Sequence, residues 1–133
     1  MSIKDQIDQL DDQIQELNNK RSILAKQLMQ EQQEKLKVLV GVCFCHKEKF
    51  YKIVDVPQYE MSFNFNYSFN PYQLPVVVLA ENDLVEDTIF SHAVLYDDPL
   101  KRLQAEYGFA DQKEEIAKFD SALNDFVARL RAI

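Results

Sequence analysis

The sequence predicts an α+β protein with a long N-terminal coiled-coil helix, a four-stranded antiparallel meander and two to three C-terminal helices packed on the sheet. Residues 3–36 repeat apolar side chains at alternating spacings of three and four, as the seam of a helix does. Residues 38–80 are rich in β-branched and aromatic residues. From residue 98 onward, helix-capping residues precede apolar residues at helical spacing. We therefore expect two parts, a dimerisation helix over 1–36 and a small α+β domain over 37–133.

The apolar seam of the N-terminal helix is the feature of the chain that most clearly requires a partner. In heptad terms, Arg21 is a polar residue at an a position and interrupts an otherwise apolar seam. Thirty-four helical residues extend roughly 50 Å, whereas a domain of the remaining residues is only about 30–35 Å across. Most of the seam therefore needs another helix, and a homodimer is the first interpretation. The predicted oligomerisation residues are Ile3, Ile7, Leu10, Ile14, Leu17, Arg21, Leu24 and Leu28.

The direction of helix pairing stays open at this point. Isoleucine at a with leucine at d favours a parallel pair, and a lone polar residue such as Arg21 fixes register or oligomer state. The e and g positions are mostly Gln and Asn with few charges, so they say little about partner choice. The alternative to self-association is that the helix packs half its length on the chain's own C-terminal helix.

Four strands are expected after residue 37. Residues 38–46 and 50–56 predict a hairpin around 47–49 whose turn type is undetermined, because the turn holds neither Gly nor Asn. Residues 59–70 alternate apolar and polar side chains at every position, which predicts one long strand with one face on a core. The short apolar run 76–80 completes a meander.

Helices are expected in the last third of the chain. Asp83 can cap a short helix that runs through residue 90. Asp98 before a proline, with Gly108 as the stop, predicts a helix over 99–107. Asp111 with a glutamate three residues later forms a capping-box pattern in front of an amphipathic helix that continues to the end.

The order of elements and one local motif resemble the RWD domain, the non-catalytic relative of ubiquitin-conjugating folds. Those domains carry a YPxxxP turn between the third and fourth strands, and here Pro71-Tyr72-Gln73-Leu74-Pro75 lies at that place. Asn70 departs from the pattern because it stands where tyrosine is expected. Kinetochore-type adaptor proteins are similar in joining a dimerising coiled coil to such a domain. The resemblance implies a non-catalytic adaptor, and no cysteine follows the fourth strand as in a conjugating enzyme.

The charge distribution favours a protein partner with a basic surface. The chain has a net charge of −7, and no Lys or Arg occurs from Ile53 to Leu100. Such a surface repels phosphate backbones, so we expect no direct nucleic-acid binding. Two groups are candidate partner-binding residues, the carboxylates that follow the fourth strand and two amides on the polar face of 60–70. They are Glu81, Asp83, Glu86, Asp87, Asn64 and Asn66.

Catalytic and metal sites are not expected. Cys43 and Cys45 share one face of a predicted strand while His46 points to the other, so with His92 they do not converge on a metal without a bulge. His92 lies beside a serine, but sequence adjacency positions neither an acid nor a nucleophile. With two glycines there is no phosphate-binding loop. We expect no enzyme activity, no metal and no cofactor.

The expected location is a reducing cytoplasm. The two cysteines are too close in sequence for an unstrained disulfide. The N-terminus lacks an apolar signal region, and no apolar run is long enough to span a membrane.

Three functional hypotheses follow. The first is a non-catalytic assembly protein that self-associates through its N-terminal helix and binds a protein partner through the acidic domain. The second is a small acidic inhibitor of phage or plasmid type that blocks the cationic channel of a nucleic-acid-processing defence enzyme. The third is an acidic secretion-type chaperone that clamps an unfolded segment in apolar grooves.

Overall fold

The structure, a computed structural model, describes residues 2–61 and 67–132. It has a long N-terminal α-helix, a four-stranded antiparallel sheet and two C-terminal α-helices, which confirms the expected α+β class. Two compact units are present, Met1–Gln32 and Gln33–Ile133. The helices and strands are α1 (Ile3–Leu36), β1 (Cys43–His46), β2 (Lys49–Ile53), β3 (Tyr59–Met61), β4 (Tyr67–Phe69), β5 (Gln73–Ala80), β6 (Asp83–Phe90), α2 (Pro99–Tyr107) and α3 (Gln112–Arg131).

The first unit is formed by α1 up to Gln32, and the last turn of α1 belongs to the second unit. Ser2 caps the helix, because its hydroxyl oxygen accepts a hydrogen bond from the Asp5 N–H at 3.1 Å. Neither glycine nor proline interrupts the helix, and Lys20 lies 3.4 Å from Glu16 one turn away. The predicted helix is thus continuous over its whole length. Its last residue, Leu36, belongs to the core of the second unit.

The sheet of the second unit has the strand order β1-β2-β5-β6, with every neighbouring pair antiparallel. The β3-β4 pair forms a separate two-stranded sheet that is inserted in sequence between β2 and β5. The segment Pro71–Pro75, which carries the RWD-like motif, leads from β4 into β5. The resemblance to RWD domains itself stays a prediction.

Two hydrophobic clusters lie on opposite faces of this sheet. Phe44 of β1 is fully buried in the larger cluster, where its ring stacks on Tyr51 and Phe109 at centroid distances of 5.1 Å each. Cys43, its neighbour on β1, belongs to the smaller cluster together with Phe119 of α3. Adjacent strand residues therefore serve different cores, as the period of two requires.

The interpretation of 83–90 as a helix was wrong, because this segment is the edge strand β6. Register with β5 runs from Ala80↔Asp83 to Gln73↔Phe90, which makes it the longest pairing in the sheet. Asp83 does not cap a helix; its carboxylate accepts the N–H of the next residue, Leu84, at 2.9 Å. The eight ladder partners offered by β5 outweigh the local helix signal, because tertiary pairing overrides weak propensity.

The interpretation of 59–70 as one strand was also wrong. Its two ends pair with each other as β3 and β4, in the register Tyr59↔Phe69 and Met61↔Tyr67. This register sets odd-numbered residues opposite odd-numbered residues. A period of two therefore runs unbroken through both strands of the pair, and the alternation alone does not distinguish a pair of strands from a single strand.

The first predicted strand is shorter than expected. Residues 37–39 form a 3₁₀ turn instead, and the backbone at Gly41 has φ +88°. Glycine adopts this left-handed conformation without steric cost. Gly41 N–H then donates to the Ile53 carbonyl at 2.7 Å, and the ladder of β1 begins two residues later.

The C-terminal helices start where the capping pattern places them. The Asp98 carboxylate accepts the Lys101 N–H at 3.1 Å in front of Pro99, and Gly108 ends α2 with φ +75°. Asp111 caps α3 by accepting backbone N–H groups of its first turn. Both helix starts were therefore predictable from local sequence.

Candidate interaction surfaces

The apolar seam of α1 is exposed along its whole length. Each of its seven apolar residues is more than half accessible, from 52% for Ile7 to 77% for Ile3. Because α1 is one uninterrupted helix, the spacing of three and four places these side chains on a single stripe. The structure thus presents all eight predicted oligomerisation residues, including Arg21, on the surface of the helix. An exposed apolar stripe of this kind is typical of an interaction site.

The four predicted carboxylates lie at the β6 edge of the sheet. Glu81 is in the turn between β5 and β6, and the other three are on β6. All four side chains are exposed. Asp83 and Asp87 share one face of the strand with each other, and Glu86 lies on the opposite face. The structure therefore brings these residues to β6 and the turn before it, but not into one cluster.

The outer edge of β6 is partly closed by its own carboxylates. Ser91 N–H donates to the Tyr72 carbonyl at 2.8 Å. Because every second residue of an antiparallel strand bonds to its neighbour, the odd-numbered residues of β6 bond to β5 and the even-numbered residues point their N–H groups to the outer edge. Two of these outward N–H groups are occupied, because Leu84 N–H donates to Asp83 at 2.9 Å and Thr88 N–H donates to Asp87 at 2.8 Å. Charged side chains at such positions hinder pairing with a further strand.

The two amides predicted to bind a partner, Asn64 and Asn66, lie outside the described residues. That part of the prediction stays a prediction. The described neighbours on either side are β3 and β4.

The residues weighed as metal ligands are distributed over the second unit. Cys43 is buried and its thiol lies 3.6 Å from the Gly41 carbonyl oxygen, while Cys45 is half-buried. Burial raises the pKa of Cys43 to about 11, which keeps the thiol protonated at neutral pH. The rings of His46 and Tyr107 pack edge to face, with their centroids 5.1 Å apart. Over residues 2–61 and 67–132, no three His, Cys, Asp or Glu side chains are placed to hold a metal ion.

Sequence reasoning missed a polar cluster around Glu106 of α2. The Glu106 carboxylate accepts the Ser91 hydroxyl at 2.6 Å and the His92 backbone N–H at 3.2 Å. The His92 ring nitrogen Nδ1 lies 3.4 Å from the same carboxylate, and Arg102 Nε lies 3.7 Å from it. No local pattern connects residues fifteen apart in this way.

This cluster ties the end of β6 to α2. Ser91 is only 1% exposed, its proton is directed to Glu106, and its oxygen accepts the Ala93 N–H at 3.1 Å. Tyr107 reinforces the junction, because its hydroxyl donates to the Phe90 carbonyl at 2.6 Å. Burial raises the pKa of Tyr107, with the charge of Glu106 adding to the effect. The hydrogen bonds satisfy the buried Ser91 hydroxyl and fix the strand–helix junction.

No helix in the described part of the chain is long and apolar enough to cross a membrane. Comparison with known proteins found no match among protein families, curated proteins or solved structures.

Proposed function

We propose that this protein is a non-catalytic assembly protein that self-associates through α1 and binds a protein partner with a basic surface through its acidic α+β unit. The observation that carries the proposal is the exposed seam of α1, in which Ile and Leu side chains stay accessible over 3–28. A helix with such a stripe gains free energy only when a second apolar surface covers it.

The magnitude supports self-association. Complete burial of a Leu or Ile side chain contributes about 1.5–3 kcal/mol, and the seven seam residues are still 52–77% exposed, so a pairing helix that covers them adds at most roughly 6–13 kcal/mol per chain. Two chains together gain about twice that amount, which is comparable to or larger than the association cost of about 4–15 kcal/mol. The free energy available from burial of the seam therefore supports the proposed pair.

The carboxylates at the β6 edge of the sheet support a partner with a basic surface. Glu81, Asp83, Glu86 and Asp87 are all exposed, and the interval from Ile53 to Leu100 contains no Lys or Arg that could neutralise them. A surface of this sign attracts cationic protein faces and accelerates their association. The free thiols of Cys43 and Cys45 are compatible with a reducing location.

The test is the solution mass of the full chain by light scattering, with Leu17→Asp as the disrupting variant. We expect the wild-type chain to be a dimer and L17D to be a monomer whose sheet unit stays folded in circular dichroism. Asn19→Asp is the matched control, because it adds the same charge at an exposed position away from the seam. A monomeric wild-type chain, or an N19D variant that dissociates as L17D does, contradicts the proposal.

The β6 edge also favours a second candidate function, the acidic inhibitor that occupies a cationic channel. This function depends on the carboxylates instead of the seam. Proteins captured on the immobilised chain should then elute when ionic strength rises from about 0.1 M to about 1 M. Capture should be lost in the neutralised variant E81Q/D83N/E86Q/D87N and retained in L17D. An assembly protein instead loses its self-association, and with it its assembly function, in L17D while its sheet unit stays folded.

A further inference from the structure

We propose that α1 pairs antiparallel with α1 of a second copy, so that Arg21 lies against the partner's Leu10 and beside the partner's Asp11. This inference rests on the proposed function, because it specifies the direction and register of the self-association. The occupant of the exposed seam is thereby a second copy of this chain. Three properties of α1 lead to it.

The first property is the charge polarity of the helix. Residues 3–15 contain one lysine and four aspartates, a net charge of −3. Residues 16–28 contain Glu16 with Lys20, Arg21 and Lys26, a net charge of +2. A parallel pair in register sets each half against a half of its own sign. An antiparallel pair sets the acidic half against the basic half, and the opposed helix dipoles add to this preference.

The second property is the register of the seam. In antiparallel coiled coils an a residue packs against a d residue of the partner. If paired residue numbers sum to 31, every seam position finds a partner of the complementary class. The layers are Ile3 with Leu28, Ile7 with Leu24, Leu10 with Arg21 and Ile14 with Leu17, each occurring twice by symmetry. Registers one heptad away leave residues at one end of the seam unpaired.

The third property is the polar position itself. A parallel pair in register places Arg21 opposite the partner's Arg21 with Lys20 at the flanking g position of each chain, which brings four cations into one layer. Like charges so placed are destabilising. In the antiparallel register Arg21 instead packs its methylene groups on the partner's Leu10. Its guanidinium then reaches the e-position carboxylate of the partner's Asp11, one residue further along.

The arrangement has a functional consequence. With the two-fold axis between residues 15 and 16, the two copies of residue 32 lie about 50 Å apart at a rise of 1.5 Å per residue. The second units of the two chains, which begin at Gln33, thus start from opposite ends of the helix pair. Such a dimer engages two partner molecules, or two distant sites on one assembly, and it gains avidity only where the sites have that spacing.

Single-cysteine cross-linking tests the pairing direction in the full chain. In a Cys45→Ser background, Ile7→Cys and Leu24→Cys are made separately, and one of them carries a mass tag. Buried Cys43 stays in place because its thiol is protonated at neutral pH. The mixed variants should form a disulfide heterodimer on oxidation, and neither variant should link to itself. Self-linking of I7C alone overturns the antiparallel proposal, since the two copies of residue 7 meet in a parallel pair but lie about 25 Å apart in the antiparallel register.

Charge reversal provides an independent measurement. Arg21→Glu should weaken the dimer roughly tenfold, the size expected when two partly exposed ion pairs become repulsive. The double variant R21E/D11R should restore the affinity. Lys26→Glu, on the side of α1 away from the seam, is the control with the same change in net charge. In a parallel pair in register, D11R cannot restore the affinity, because residues 11 and 21 of the two chains are then about 15 Å apart along the helix axis.

Light scattering on the same samples distinguishes a failure of the proposed self-association from a failure of the antiparallel direction. A monomeric wild-type chain contradicts both the self-association and its direction. A dimer that links I7C to I7C retains the proposed function and refutes the antiparallel pairing alone. A dimer that links only I7C to L24C supports both.

Discussion

Replacing Lys47-Glu48 with Asn-Gly should stabilise the second unit by about 1–2 kcal/mol. These two residues connect β1 to β2, with His46 paired to Lys49 across the turn, and their φ angles are +50° and +67°. Two consecutive left-handed residues define the type I′ turn that suits a twisted hairpin. Lysine and glutamate adopt it only at a steric cost.

The magnitude follows from that cost. A side chain with a Cβ in the left-handed region costs roughly 1–2 kcal/mol per residue, and Asn-Gly removes most of it. The new glycine reduces this gain by about 0.5–1 kcal/mol, because it raises the conformational entropy of the unfolded chain. The remaining gain corresponds to a rise in Tm of roughly 5–10 °C for a unit of this size.

Thermal unfolding followed by tyrosine near-ultraviolet circular dichroism measures this gain. All six tyrosines belong to the second unit and the chain has no tryptophan, so the signal reports on the second unit and not on the first. The control is E81N/N82G in the two-residue turn between β5 and β6, where neither residue has positive φ. That variant should gain nothing or lose slightly. A K47N/E48G protein with an unchanged or lower Tm refutes the assignment of strain to this turn.

Three further predictions concern the second unit. Asp87→Thr should promote concentration-dependent association in light scattering, since it frees an outward amide of β6 and removes a charge that protects the edge; unchanged dispersity contradicts this role. At pH 8, Cys45 should react with a thiol reagent while Cys43 stays unmodified. The free energy of unfolding should fall as pH rises from 9 toward 11, because the folded state holds the Cys43 proton that the unfolded state releases. A Cys43→Ala variant that keeps the same alkaline loss of stability counts against this cause. Tyr107→Phe should lower the free energy of unfolding by about 1 kcal/mol, as the Phe90 carbonyl loses its donor; an unaltered urea midpoint shows that water replaces the bond.

The sequence by itself determined the elements whose signals are local. The apolar repeat of 3–28 defined α1, and the side chains of Asp98 and Asp111 defined the starts of α2 and α3. Each of these signals acts between residues at most a few positions apart. The stripe on α1 and the carboxylates at 81–87 were also evident as candidate sites from the order of amino acids alone, because their patterns of apolarity and charge follow from residue type and spacing.

Only the tertiary structure decided which segments pair. Residues 83–90 carry a weak helix signal, and it is the β5 edge that makes them a strand. The alternation over 59–70 is the same in one strand or in two, and the register Tyr59↔Phe69 resolves it. Ser91 and Glu106 meet because β6 ends beside α2. Hydrogen bonds between residues distant in sequence depend on which strands and helices become neighbours, and that choice is a property of the whole fold.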